Sequence, residues 1–182
     1  MVTLLILAYN EENFIEKTVR KYINDFKEII IIDDSSKDRT LSICKKLQSE
    51  YKNIKIVENN RNLGAGKSFE VGVKYFLETD SEYLLKIDGD DQFKYADIIR
   101  IKTLSSKENI DFIKCDRFWE NGIEGKIPRI RYLGNTFASM LLKFLTGNWK
   151  INDPLNGLFL ISRKGLLDFK LPKLFYRYGY PF

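Results

Sequence analysis

Apolar residues in this chain fall into short unbroken runs, and polar stretches with helical spacing separate them. Val2 to Ala8, Glu28 to Ile32, Ile54 to Glu58 and Tyr83 to Ile87 each read as a strand. They are short, rich in Ile, Leu and Val, and bounded by turn residues. Glu12 to Asn24, Asp38 to Tyr51 and Ala65 to Leu77 carry apolar positions three and four apart and read as helices. Asn10 or Glu11 is expected to cap the first helix, and Ser35 or Ser36 stands near the start of the second. Near-continuous apolar strands alternating with helices predict an α/β domain with a Rossmann-like, mostly parallel sheet and helices on both faces.

Further on, Tyr95 to Leu104 predicts a helix and Ile110 to Cys115 a strand. The alternation then weakens. A loop with Gly122, Gly125 and Pro128 leads to an apolar helix from about Tyr132 to Leu145, the turn Asp153-Pro154-Leu155-Asn156-Gly157, and a strand from Leu158 to Ile161. No repeat, linker or low-complexity stretch divides the chain. Its 182 residues, 44% of them hydrophobic, can bury one sizeable core, so residues 1–182 are expected to form one domain. The ending at Tyr180-Pro181-Phe182 has no cap or polar tail and suggests truncation at the C-terminus.

Charge and cysteine content narrow the function classes. A net charge of +5, with basic residues scattered rather than blocked, suits phosphates or an anionic membrane surface. It does not suit a dedicated nucleic-acid partner. With no His, a zinc site is not expected, and Cys44 and Cys115 read as buried thiols in a reducing compartment. Met1-Val2-Thr3 enters a strand without a basic leader, and no run approaches the ~20 apolar residues that span a bilayer.

The candidate chemistry sits where the strands end. Asp88-Gly89-Asp90-Asp91-Gln92 follows the apolar run Tyr83 to Ile87 directly, at the carboxyl end where open α/β sheets bind ligands. Asp88 and Asp90 flank a glycine, so two carboxylates can converge on one hard cation, and Gln92 can add a carbonyl oxygen. Taken alone, such a cluster reads first as a solvated acidic turn, and the rest of the chain reverses that preference. The first strand runs into Leu7-Ala8-Tyr9-Asn10-Glu11-Glu12, and the second ends in Asp33-Asp34-Ser35-Ser36-Lys37-Asp38-Arg39-Thr40. Carboxylates there can accept hydrogen bonds from a base or a ribose. Simpler roles also exist: Asn10, Ser36 and Thr40 can be helix caps, and Asp33 a strand end.

Arg61-Asn62-Leu63-Gly64-Ala65-Gly66-Lys67-Ser68 imitates a P-loop, but Arg61 stands where that loop needs its first glycine. Gly64 and Gly66 instead suit a tight turn at a helix start that can hold a phosphate. Lys67 reads equally as a contact for a diphosphate or as an exposed helical lysine.

Taken in order, AYNEE, DDSSKDRT, RNLGAGKS, DGDDQ and DPLNG resemble the family 2 glycosyltransferases of GT-A fold. The closer resemblance is to the polyprenyl-phosphate branch typified by dolichol-phosphate mannose synthase, and it runs from Val2 to about Arg163. It implies a nucleotide-sugar pocket lined by Ala8, Tyr9, Glu11, Asp34 and Asp88, with Asn10, Gly64, Lys67 and Gly89 among them. It implies Mg²⁺ or Mn²⁺ held by Asp88, Asp90 and Gln92, and Arg117 and Arg131 gripping the acceptor phosphate. Asp116 departs from the pattern, because a small residue more usually precedes that arginine. The donor implied is a GDP- or UDP-sugar, the acceptor a polyprenyl phosphate, and the location peripheral, at the cytoplasmic face of a membrane.

The acceptor chemistry separates the alternatives. A phosphate is largely ionised at neutral pH and needs positioning and charge neutralisation, which forked arginines supply. A hydroxyl acceptor on a polysaccharide or glycolipid would need a general base, for which Asp153 is the candidate. Asp153 reads equally as the opening of the Asp-Pro turn. A nucleotide-binding domain without catalysis is the reading from another class. The helix from Tyr132, with Phe137, Met140, Leu141 and Phe144 near Arg129, Arg131 and Lys143, suits core packing or a membrane-surface face.

Overall fold

The computed structural model describes residues 1–107, 110–115, 140, 144 and 156–168. The strands are β1 (Val2–Ala8), β2 (Ile29–Asp33), β3 (Ile54–Glu58), β4 (Tyr83–Asp88), β5 (Phe112–Lys114) and β6 (Phe159–Ser162). The helices are α1 (Ile15–Tyr22), α2 (Thr40–Glu50), α3 (Ala65–Leu77), α4 (Tyr95–Lys107) and α5 (Arg163–Asp168). One sheet holds the strands in the order β3-β2-β1-β4-β6-β5. The first four are parallel, and β6 runs antiparallel to β4, with Lys86 opposite Phe159 and Leu84 opposite Ile161.

Every residue of β1 and β2 is buried, as expected for central parallel strands covered on both faces. Helix α3 covers one face. Its Phe69, Val73 and Phe76 meet Leu5 and Leu7 of β1, Ile30 and Ile32 of β2, and Phe159 and Ile161 of β6. Each of those phenylalanines is fully buried, worth about 1.5–3 kcal/mol of transfer free energy. Gly72 lets α3 approach this closely, because a Cβ there would lie 2.6 Å from Leu5 Cδ1.

Two further side chains mark the fold. Arg163, at the junction of β6 and α5, donates to the carbonyls of Phe76, Leu77, Thr79 and Ser81, and its guanidinium lies 4.9 Å from the Phe76 ring centre. It ties the end of α3 to β6. Cys44 is fully buried, and burial followed by the nearby Asp33 pushes its thiol up to about 12.

Two helix starts differ from expectation. Helix α1 begins at Ile15 after Phe14, without a side-chain cap, and Asn10 and Glu11 lie in the turn before it. Helix α2 begins at Thr40, and the carboxylate that accepts the Thr40 N–H is that of Asp38, at 2.9 Å. Ser36 and Thr40 point elsewhere: Ser36 Oγ accepts the Asn10 N–H at 3.0 Å, and Thr40 Oγ1 accepts the Glu11 N–H at 2.7 Å. Tertiary bonds between loops have taken the acceptors that sequence assigns to capping.

The chain divides into two compact units. The first comprises Met1–Ile113 and Leu158–Pro181, and the second comprises Lys114–Gly157 with Phe182. Within the second, the buried Asn156 donates its side-chain amide to the Cys115 carbonyl at 3.0 Å. Met140 and Phe144 are helical and expose 55% and 63% of their surface. Arg117, Arg131 and Asp153 lie outside the described residues, as does most of the helix expected from Tyr132 to Leu145.

Candidate active site

The strand order reverses between β1 and β4, because the chain builds outward through β2 and β3 before returning to β1's other edge. At such a switch point two loops diverge and leave a crevice above the strand carboxyl ends. Ala8 pairs with Asp33, Asp33 with Glu58, and Leu7 with Asp88, so the acidic strand ends share one edge.

The first and second loops are sewn together. Besides the Ser36 and Thr40 bonds, Asn10 Oδ1 accepts the Lys37 N–H at 2.7 Å and Asp38 Oδ2 accepts the Glu12 N–H at 3.1 Å. Glu12 in turn accepts from the Arg39 backbone and guanidinium. Asn10 and Ser35 hold positive φ angles of 57° and 61° that these bonds sustain. The result leaves Tyr9 42% exposed beside a fixed Glu11.

Asp34 does something sequence did not suggest. It is 5% exposed, and both its oxygens are used by the chain. Oδ1 accepts from Asn59 Nδ2 and the Leu63 N–H, and Oδ2 from the Gly64 N–H, each at 2.8 Å. Asn59 also donates to Ser68 Oγ at 2.9 Å. The carboxylate thus clamps the loop ahead of α3. Gly64 caps that helix at φ 84°, a conformation glycine adopts freely. Lys67, one turn on, pairs with Glu70 at 2.6 Å.

The loop after β4 is held from behind by α1. The Gly89 N–H donates to the Leu7 carbonyl at 2.9 Å, and the Gly89 carbonyl accepts from Thr18 Oγ1 at 3.1 Å. Asp91 adopts φ 55° and pairs with Lys17 at 2.6 Å and with Lys21. Those two lysines hold its carboxyl below the usual range despite its burial. Asp91 therefore faces α1 as an anchor. Lys21 and Tyr22 also donate to the Phe93 carbonyl.

Asp88 and Asp90 stand on this anchored loop. Asp88 Oδ1 meets Lys86 Nζ at 2.5 Å, while Asp90 Oδ1 accepts the Gln92 N–H at 3.3 Å. Burial, then the Asp88 charge, raises the Asp90 carboxyl above its usual range. Glu11 is pushed up to about 7, by burial first and then by Asp90, Asp88 and Asp38. These carboxylates therefore stand close enough to repel, across the gap between the first and fourth loops. No group of three acidic, Cys or His side chains is drawn into metal-holding geometry among the described residues. The donor set still suits a hard divalent cation, being all oxygen and rich in negative charge. Gln92 is exposed.

Sequence reasoning missed Lys86, Asn59 and the Lys17–Lys21 pair. A lysine inside an otherwise apolar strand was the one signal available for Lys86; the others depend on tertiary contacts.

Comparison with known proteins places this geometry. The model of the family described as Glycosyl transferase family 2 matches residues 3–168. A UDP-N-acetylglucosamine–dolichyl-phosphate N-acetylglucosaminyltransferase of Methanococcus voltae is 29% identical, over 91% of this chain and 71% of its own length. A dolichyl-phosphate beta-glucosyltransferase of Trichomonas vaginalis is 26% identical, over 90% of this chain and 53% of its own. The chain thus spans only part of the length of these relatives. Among solved structures, the Pyrobaculum calidifontis mannosyltransferase in complex with GDP-Man and Mn²⁺ superimposes with a TM-score of 0.60. It is 17% identical, over 92% of this chain and 45% of its own, and so speaks to the fold alone. The fold is GT-A, and by a family match that runs from β1 to α5 the chain belongs to glycosyl transferase family 2.

Proposed function

We propose that this glycosyltransferase moves a sugar, with inversion, from a GDP- or UDP-sugar to a polyprenyl phosphate at the cytoplasmic face of a membrane. The observation that carries the donor half is the placing of Glu11, Asp88 and Asp90 at the carboxyl ends of β1 and β4, the paired strands where the sheet order reverses. Such a cluster suits a cation that arrives with a diphosphate. Asp88, Asp90 and Gln92 would hold Mg²⁺ or Mn²⁺, which when bound supplies positive charge to the leaving diphosphate. Ala8, Tyr9, Asn10, Glu11, Gly64, Lys67 and Gly89 are proposed to line the donor pocket with them. Asp34, proposed for the same pocket, also fixes the loop that carries Gly64.

The acceptor half rests on the two relatives, both named for dolichyl phosphate. A phosphate oxygen attacks the anomeric carbon, and the bond from that carbon to the diphosphate breaks. The bonding pair leaves with the nucleoside diphosphate. An ionised phosphate has no proton to lose, so no base is required. Arg117 and Arg131 are proposed to hold it, and Asp153 to orient the turn beside it. The exposed Met140 and Phe144, four residues apart, suit a face resting on lipid. Among the described residues no helix is long and apolar enough to cross a membrane.

The test is transfer of labelled sugar from UDP-GlcNAc, UDP-Glc or GDP-Man to short-chain polyprenyl phosphate in vesicles with Mn²⁺. Label in the lipid fraction, lost on Arg117→Ala, is expected. Label passing only to a free sugar or glycolipid, and abolished by Asp153→Asn, would establish a hydroxyl acceptor instead.

A further inference from the structure

The side chain of Lys86 is fully buried, while its partner carboxylate on Asp88 is 33% exposed. This inverts the usual reason for an internal ion pair. Asp88 could be satisfied by solvent, so it does not need the lysine. The lysine instead carries the burial cost, which for an ammonium is several kcal/mol before pairing. Its register neighbours, Leu5 on β1 and Phe159 on β6, are core residues. The same face of the sheet carries Leu84 and Ile161, so an apolar side chain would suit the position better on packing grounds alone.

We propose that Lys86 is an internal counter-cation for the donor site, engaging one oxygen of Asp88 so that a divalent cation binds weakly until a nucleotide diphosphate binds with it. The proposal rests on the donor-site reading above and names a positioning residue within it. A positive charge against Asp88 Oδ1 opposes any dication drawn to the same carboxylate. A diphosphate brings its own negative charge and oxygen ligands, which offset that opposition. Cation and nucleotide then bind with positive coupling, and each strengthens the other by the same factor. A site without the lysine would take the cation alone more readily.

The experiment measures Mn²⁺ binding by the loss of its free-ion electron paramagnetic resonance signal, with and without UDP or GDP. Wild type, Lys86→Met and Lys86→Gln are compared, with folding followed by circular dichroism. Wild-type affinity for Mn²⁺ should rise about tenfold or more with nucleotide, within the usual range of coupling between sites. Lys86→Met should bind Mn²⁺ alone about tenfold more tightly and show a smaller gain from nucleotide. Lys86→Gln keeps a donor for Asp88 but lacks the charge, and should follow Lys86→Met. A glutamine variant that behaves like wild type would assign the effect to the hydrogen bond and overturn the proposal. Unchanged or weaker Mn²⁺ binding in a folded Lys86→Met overturns it too. Failure of both variants to fold would make Lys86 a structural residue and overturn it as well. If wild type shows no nucleotide-dependent Mn²⁺ binding at all, the donor-site reading itself falls, and this inference with it.

Discussion

Replacing Asp34 with Asn changes one atom of a buried side chain, and the structure says what that atom does. Two N–H donors and one amide converge on the carboxylate, so an asparagine must turn its NH₂ toward at least one of them. With the NH₂ at the Oδ2 position, the Gly64 N–H faces another donor. The remaining bonds to Asn59 and Leu63 lose their charge assistance. Charged acceptors contribute about 1.5–3 kcal/mol per bond and neutral ones about 0.5–1.5, so two weakened bonds lose about 2 kcal/mol together. The orphaned Gly64 N–H adds about 1–2 kcal/mol, limited because Gly64 is only half-buried and water can reach it. The expected loss is about 3–4 kcal/mol, a large share of an ordinary domain's stability. Urea unfolding should report it as a midpoint lowered by about 1.5–2 M for an m-value of ~2 kcal/mol/M. Native-state hydrogen exchange at Leu63 and Gly64 should accelerate well beyond the global change. An Asp34→Asn protein within about 0.5 kcal/mol of wild type would refute the clamp, and would return Asp34 to the role of a free acceptor for a nucleotide.

The remaining predictions concern charge and anchoring. Glu11 keeps its proton in the folded state up to about 7 but loses it near 4.5 when unfolded, so its stabilising contribution is complete below about 4.5 and is lost as pH rises through 7. In the presence of EDTA, the stability of Glu11→Gln relative to wild type should therefore increase between pH 4.5 and 8; a pH-independent difference would contradict the assignment. Lys21→Met removes donors to Asp91 and the Phe93 carbonyl, and should cost about 1 kcal/mol in chemical denaturation. It should also weaken Mn²⁺-dependent nucleotide binding in calorimetry, and unchanged nucleotide affinity would show that α1 does not set the loop. Arg163→Lys keeps the charge but not the fork that reaches four carbonyls, and should lower stability by about 2–4 kcal/mol without altering nucleotide affinity.

What was legible in the sequence follows from how local each cause is. Strands β1, β2 and β4 stood out because burial on both faces demands unbroken apolar runs, and β3 and α3 fall at the expected residues. The position of Asp88-Gly89-Asp90 at the carboxyl end of a buried strand was also legible, since it follows from the apolar run that precedes it. The start of α1 was not. Asn10 and Glu11 have the composition of a cap, and only the spatial approach of Ser36 and Thr40 draws their backbone into a turn instead. Asp34 escapes for a related reason: sequence marks a carboxylate at a strand end but cannot show three donors arriving from residues 25 to 30 positions away. Lys86 looks like an interruption in a strand, whereas its meaning lies in the burial of its whole side chain.

Strands β5 and β6 are neighbours in the sheet, yet the chain between them passes through the second unit. Departure and return are thus fixed a strand's width apart, on the far side of β4 from β1. Closing so long an excursion costs only slightly more entropy for each added residue, since the penalty grows with the logarithm of length. Chain-closure entropy therefore sets no strong limit on insertions or deletions between residues 115 and 158. On the proposed reading, Arg117, Arg131 and Asp153 lie within that excursion and the residues proposed for the donor lie outside it, so a lineage could exchange the one set and keep the other. Chimaeras cut at the ends of β5 and β6 are the natural laboratory form of the same experiment.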